Sequence, residues 1–236
     1  MREFNGYQKG INLGGWLSQY DRYDLRHFDT FIQEEDIRRI STWNLDHVRI
    51  PVDYPLIQKE NGEKNPDGIQ YLKKAKDWCR KYHLNMIIDL HETYGYSFDP
   101  LKKDMDRRRF FHDPILQKRF LSIWKDISEE FKDDRENLAF ELLNEVVLQD
   151  VYQPWNDIIK ETIREIRKIQ PDIPIIVGGV KYNDVSAVSL LEKPYDRNIV
   201  YNFHCYDPFC FTHQSAYWVE NMPKDFHMEY PEKIAL

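Results

Sequence analysis

The feature that most constrains this chain is a repeated alternation. A short, nearly all-apolar run is followed by a segment with helical spacing of apolar residues, and then by another short run. The runs lie at 10–13 (GINL), 46–50 (DHVRI), 84–90 (LNMIIDL), 138–143 (LAFELL), 174–178 (PIIVG) and 198–203 (NIVYNF). Each is rich in aliphatic or β-branched residues and is bounded by polar or turn residues, as expected of a strand buried on both faces. Between them, Ile69, Leu72, Ala75, Trp78 and Tyr82 step by three and four, which predicts a helix with one apolar stripe. Asp113 followed by Pro114 reads as an N-cap and first helical residue, leading into Ile115, Phe120, Ile123, Trp124, Ile127 and Phe131. Pro154 is expected to open a helix carrying Trp155, Ile158, Ile159, Ile163, Ile166 and Ile169, and shorter helices are expected over 33–43 and 183–192. Alternation of this kind requires a parallel sheet covered by helices. A doubly wound sheet and a (β/α)8 TIM barrel both satisfy it. Gly178-Gly179 matches neither a dinucleotide-binding glycine pattern nor a P-loop. The expectation is therefore an α/β chain forming a (β/α)8 barrel, with about six β/α units present in a single domain over 1–236.

Charge and composition narrow the partners. A net charge of −7 argues against a protein that coats nucleic-acid backbones, and Arg107, Arg108 and Arg109 sit beside Asp104 and Asp106. No stretch reaches the length of apolar residues that a membrane helix needs. The segment MREFNGYQKG has no apolar core of the kind a signal peptide requires, so the expected location is cytoplasmic, or secreted with a leader removed. Cys79, Cys205 and Cys210 form no C-x-x-C pair, which points to neither a disulfide framework nor a thiolate zinc site. Aromatic residues make up 14% of the chain, and a surplus of them in loops offers faces on which sugar rings stack.

In a barrel of this type the chemistry is built at the carboxyl ends of the strands. The first run leads into Gly14-Gly15-Trp16, and Arg49 stands near the end of the second, before Pro51 and Asp53. The third run ends in Asp89-Leu90-His91-Glu92, the fourth in Asn144-Glu145 and the sixth in His204-Cys205-Tyr206. Glu145 would stand at the barrel mouth. A carboxylic acid partly buried there can keep its proton to higher pH and donate it, as the acid of glycoside cleavage must, while a second carboxylate attacks or activates water. Arg49 could orient that second carboxylate, His91 and His204 could bond sugar hydroxyls, and Tyr206 could support either carboxylate. Plainer roles compete with these. Arg49 could simply pair with Asp89 or Asp53, each histidine could be structural, and Glu145 could be a helix N-terminal acid. Tyr94, Tyr96, Phe98 and Trp218 could be loop packing. A His91/His204 metal pair lacks the spacing of a zinc motif, and no metal or cofactor is expected.

Taken together, GINLGGW at 10–16, HVRIPVD at 47–53, IIDLHE at 87–92, LLNEV at 142–146 and HCYDPFCFTHQ at 204–214 resemble glycoside hydrolase family 5, the cellulase family. The resemblance covers almost the whole chain. It implies a (β/α)8 barrel that hydrolyses β-linked glucans or mannans with retention, without a cofactor. By that likeness Glu145 is the general acid/base and Asn144 holds the sugar 2-hydroxyl. Arg49, His91, His204, Tyr206 and Trp16 complete the expected substrate-binding set.

One departure stands out. The family's nucleophile is a Glu at the end of the seventh strand, and only six strands are legible here. Glu220, Glu229 and Glu232 follow no strand-like run. Two further units would need roughly 60–100 residues at the usual size of a barrel repeat, so a chain shortened at its C-terminus is expected. The alternatives are a β-mannanase of the same family, a carbohydrate-binding barrel without turnover, and an unrelated barrel lyase or metal hydrolase using the two histidines. The oligomeric state is not legible.

Overall fold

Six strands form where the six apolar runs stand. They are β1 (Gly10–Asn12), β2 (His47–Asp53), β3 (Asn85–Glu92), β4 (Leu138–Glu141), β5 (Ile175–Val177) and β6 (Ile199–Tyr201). The molecule is seen in a computed structural model that describes residues 4–219, 222–223 and 225–229. The strands make one sheet in the order β1-β2-β3-β4-β5-β6, with every neighbouring pair parallel. A doubly wound sheet reverses its strand order at a switch point, and this sheet has no reversal. It is the arrangement of a (β/α)8 barrel, of which six units are present.

The period of two along each strand sorts side chains between two compartments. Val48, Ile50, Val52, Met86, Ile88 and Leu90 pack outward with the helices in the main core, whereas Ile87, Ala139 and Ile176 form a separate small cluster with Phe4, Tyr7 and Val200. That small cluster is the apolar floor of the lumen. One inward step further along β3 and β4 come Asp89 and Glu141, register partners of each other, and Asp89 pairs with Pro51 on its other side. Pro51 contributes no N–H, and the β2–β3 register slips after Val52 so that Asp53 faces Glu92. β2 and β3 run further than the apolar runs suggested because their last residues, though polar, still face buried surroundings.

The helices follow their caps. They are α1 (Leu25–Thr30), α2 (Glu34–Ile40), α3 (Pro66–Lys81), α4 (Pro114–Glu130), α5 (Tyr152–Ile169) and α6 (Phe209–Thr212). Asp113 caps α4 by accepting from the Ile115 N–H at 2.8 Å, as its position before Pro114 predicted. Ile115 itself is 73% exposed and not part of the stripe, because the buried face begins at Leu116. α5 starts at Tyr152, two residues before Pro154. The segment expected to be a helix over 183–192 is a 3-10 turn at Val185–Leu190, opened by the Asp184 carboxylate accepting from the Ser186 N–H. The short helices α1 and α6 were not anticipated. Two buried tryptophans fix strand exits. Trp124 donates to the Leu142 carbonyl and Trp155 to the Gly178 carbonyl, both at 3.0 Å.

Candidate active site

The polar ends of the strands meet inside the sheet's curve around one guanidinium. Arg49 lies on β2 with its side chain 18% exposed. Its Nε and Nη2 donate to the two oxygens of Glu141 on β4, at 2.7 and 3.0 Å. Nη2 also reaches Asp89 Oδ2 on β3 and Asn144 Oδ1, each at 2.9 Å, and Nη1 reaches Asn12 Oδ1 on β1 at 2.8 Å. Burial works against the guanidinium charge, but Asp89 and Glu141 outweigh it and hold its pKa above the ordinary value. Arg49 therefore ties four strands together. The plainer reading, an internal ion pair with Asp89, is met, and its main partner is Glu141, which the sequence reading did not single out.

Because arginine only donates, the amide of Asn144 must turn its oxygen inward, which leaves its Nδ2 to point at whatever enters the mouth. Next to it, Glu145 Oε1 lies 2.6 Å from Nδ1 of His204, with the two side chains 11% and 18% exposed. Among the described residues nothing bonds the second carboxyl oxygen. A carboxyl group held on one side and open on the other can pass a proton to a bound molecule. Tyr96 fixes the backbone behind it, since its hydroxyl donates to the Glu145 carbonyl at 2.8 Å and accepts from the Val147 N–H at 2.9 Å. His91 Nδ1 lies 2.6 Å from Asp89 Oδ2, and its ring meets Phe98 edge-on at 4.8 Å. The two histidines thus serve two different carboxylates. Tyr206 is 53% exposed at the rim. Burial of its hydroxyl and the Glu145 charge push its pKa up, with Arg49 opposing, which places it in the field of both groups.

Trp16 is a correction. It is fully buried, donates to the Phe28 carbonyl at 2.9 Å and stacks on Trp78 at 6.2 Å. Gly15, at φ +76°, turns the chain after β1 so that the indole enters the core and offers no face to a sugar. Of the loop aromatics, Tyr96 is buried against Phe110 and Phe111, Tyr94 meets Tyr54 edge-on, and Trp218 is 47% exposed. Glu229 is exposed, and Glu220 and Glu232 lie outside the described residues.

Sequence reasoning passed over Glu141, Asn12 and Asn202. Asn202 donates to Glu141 Oε1 at 3.1 Å. A signal was there. Glu141 is the single charge inside LAFELL, and Asn202 stands two residues before His204, hence on the same face of β6 and its extension.

Comparison with known proteins gives the family. The family model described as Cellulase (glycosyl hydrolase family 5) matches residues 5–233. Endoglucanase C of Acetivibrio thermocellus is 43% identical over 228 residues, which are 95% of this chain and 65% of that protein. Cellodextrinase A of Ruminococcus flavefaciens is 40% identical over 232 residues, covering 98% of this chain and 68% of its own. Among solved structures, endoglucanase Cel5A from the hyperthermophilic Thermotoga maritima superimposes with a TM-score of 0.76 at 28% identity, covering 92% of this chain and 66% of that one. This chain spans about 65% of the length of the Endoglucanase C relative. With six consecutive parallel β/α units and this set of strand-end residues, the chain belongs to the cellulase family, glycosyl hydrolase family 5.

Proposed function

We propose that this chain carries the acid/base half of a glycosidase that cleaves β-1,4-linked glucans with retention, with Glu145 as the proton donor and then the base. The observation that carries the reading is the Glu145–His204 contact at 2.6 Å, which presents one carboxyl oxygen to the barrel mouth beside the free amide donor of Asn144. In this reading Asn144 Nδ2 donates to the sugar 2-hydroxyl, while His91, His204 and Tyr206 supply further polar contacts. Retention needs a second carboxylate as nucleophile. Asp89 and Glu141 are both committed to Arg49, so neither is free to attack.

The names of the relatives support the glucan reading, since they include endoglucanases and a cellodextrinase. One neighbouring structure, of Thermotoga maritima Cel5A, is titled as a complex with a mannotriose substrate, so β-mannan is the second substrate to try. The test is release of chromophore from an aryl β-cellobioside and an aryl β-mannobioside by this chain and its Glu145→Gln variant. Turnover of the cellobioside that disappears in the variant supports the proposal. Binding of cello-oligosaccharides with no turnover in either protein, and none when the chain is extended by the two further β/α units of a whole barrel, would replace it with a binding-only barrel.

A further inference from the structure

Gly178-Gly179, which fits no phosphate-binding pattern, stands beside the most strained stretch of backbone in the described chain. Lys181, Tyr182 and Asn183 have φ of +56°, +58° and +56°, three consecutive non-glycine residues in the left-handed region. L-residues avoid that region, and such strain persists only where surrounding contacts impose it. Here the contacts run to the site. The Tyr182 N–H donates to the carbonyl of Val146 at 3.0 Å, directly after Glu145. The carbonyl of Asn183 accepts from the N–H of His204 at 2.9 Å. One turn therefore grips the backbone on both sides of the Glu145–His204 pair.

The side chain of Asn183 is fully buried and continues inward. Its Oδ1 accepts from the Gly179 N–H at 2.8 Å, and its Nδ2 donates to Asn202 Oδ1 at 3.0 Å. Asn202 in turn donates to Glu141, and Glu141 receives Arg49, which holds Asn144. Every amide orientation along this line is forced. At one end an ionised carboxylate only accepts, and at the other a backbone N–H only donates. Gly178 makes the room, because a Cβ there would come within 2.5 Å of Asn183 Nδ2.

We propose that the left-handed turn at 181–183, seated on Gly178-Gly179, is the device that positions Glu145 against His204, and that Asn183 is a positioning residue for proton transfer at Glu145. The inference rests on the acid/base reading of Glu145, but it can be tested apart from turnover. Asn183→Gly keeps the backbone conformation and removes the amide. Asn183→Asp keeps the shape and removes the donor to Asn202. Gly178→Ala leaves residue 183 intact and displaces its side chain. Asn44→Ala, at a left-handed asparagine outside the site (φ +59°), is the comparison for a purely structural effect.

The first readout is proton NMR of the His204 ring N–H, at a pH where Glu145 is ionised and Nδ1–H donates to it. The parent chain and Asn44→Ala are expected to show a slowly exchanging downfield signal, which the three site variants lose while remaining folded by circular dichroism. In turnover assays, kcat is expected to fall by roughly 10- to 100-fold in those variants, while KM stays within about threefold. Retention of the His204 signal in folded Asn183→Gly and Gly178→Ala would overturn the proposal. Turnover is compared in the chain extended to a whole barrel, where its absence would count against the glycosidase reading and leave the NMR result to decide this one.

Discussion

At the scale of single residues, the site is an exercise in compensating buried charge. Arg49 offsets Asp89 and Glu141, two carboxylates that are almost fully buried. Replacing it with methionine keeps the volume and strands both charges, so Arg49→Met is expected to lose about 3–5 kcal/mol in urea unfolding. A loss below about 1 kcal/mol would show that the carboxylates find other partners. Asp53 is the opposite case. Burial and the neighbouring Glu92 push its pKa up to about 7, against the opposing pull of His91, the Gln19 N–H at 3.1 Å and Lys102. Its folded pKa lies above the ordinary value near ~3.9. The contribution of Asp53 is thus complete below about pH 4 and is lost as pH rises through about 7. Asp53→Asn is expected to flatten the decline in melting temperature between about pH 4 and pH 7, and an unchanged slope would assign that decline to other groups. Residue identities at the strand ends were legible because a charge in an apolar run is conspicuous. Their partners were not, because Asn12 and Glu141 meet Arg49, and Asn202 meets Glu141, only through the curvature and stagger of the sheet.

At the scale of elements, caps and stripes decide where helices lie, and tertiary contacts decide the exceptions. The stripe of α3 and the Asp113 cap of α4 were readable from spacing alone. The 3-10 turn at Val185–Leu190 was not, since it is set by the strained turn before it and by the Asp184 cap. Trp16 was misjudged for a related reason. Its place after a strand suggested the mouth, and the positive φ of Gly15 sends it into the core. Packing also reverses a propensity within α3. Gly68 is the third residue of α3, in the first turn capped by Asn65, and alanine is ordinarily the better helix former than glycine. A Cβ at this position would overlap the carbonyl of Leu56. Gly68→Ala is therefore expected to lower the melting temperature, by about 2–4 °C or more for a chain of this size. A rise would mean that the Tyr54–Leu56 turn moves aside at little cost.

At the scale of the whole molecule, six consecutive parallel strands place Asn12, Arg49, Asp89, Glu141 and Asn202 in one polar layer above the apolar floor of Ile87, Ala139 and Ile176. Glu145, the proposed proton donor, stands beyond the end of β4, on the mouth side of that layer. The alternation in the sequence conveyed this architecture well, because strands buried on both faces have to be apolar and their ends do not. It conveyed nothing of how loops between strands reach across the mouth. The central claim, that Glu145 donates the proton, is tested most directly by leaving-group dependence. A dinitrophenyl β-cellobioside departs without protonation, whereas cellotriose requires it. In a barrel that also carries the nucleophile, the account predicts that Glu145→Gln lowers kcat/KM for cellotriose by roughly 10²–10⁴-fold and kcat/KM for dinitrophenolate release far less. Equal slowing of both substrates, or none, would contradict it.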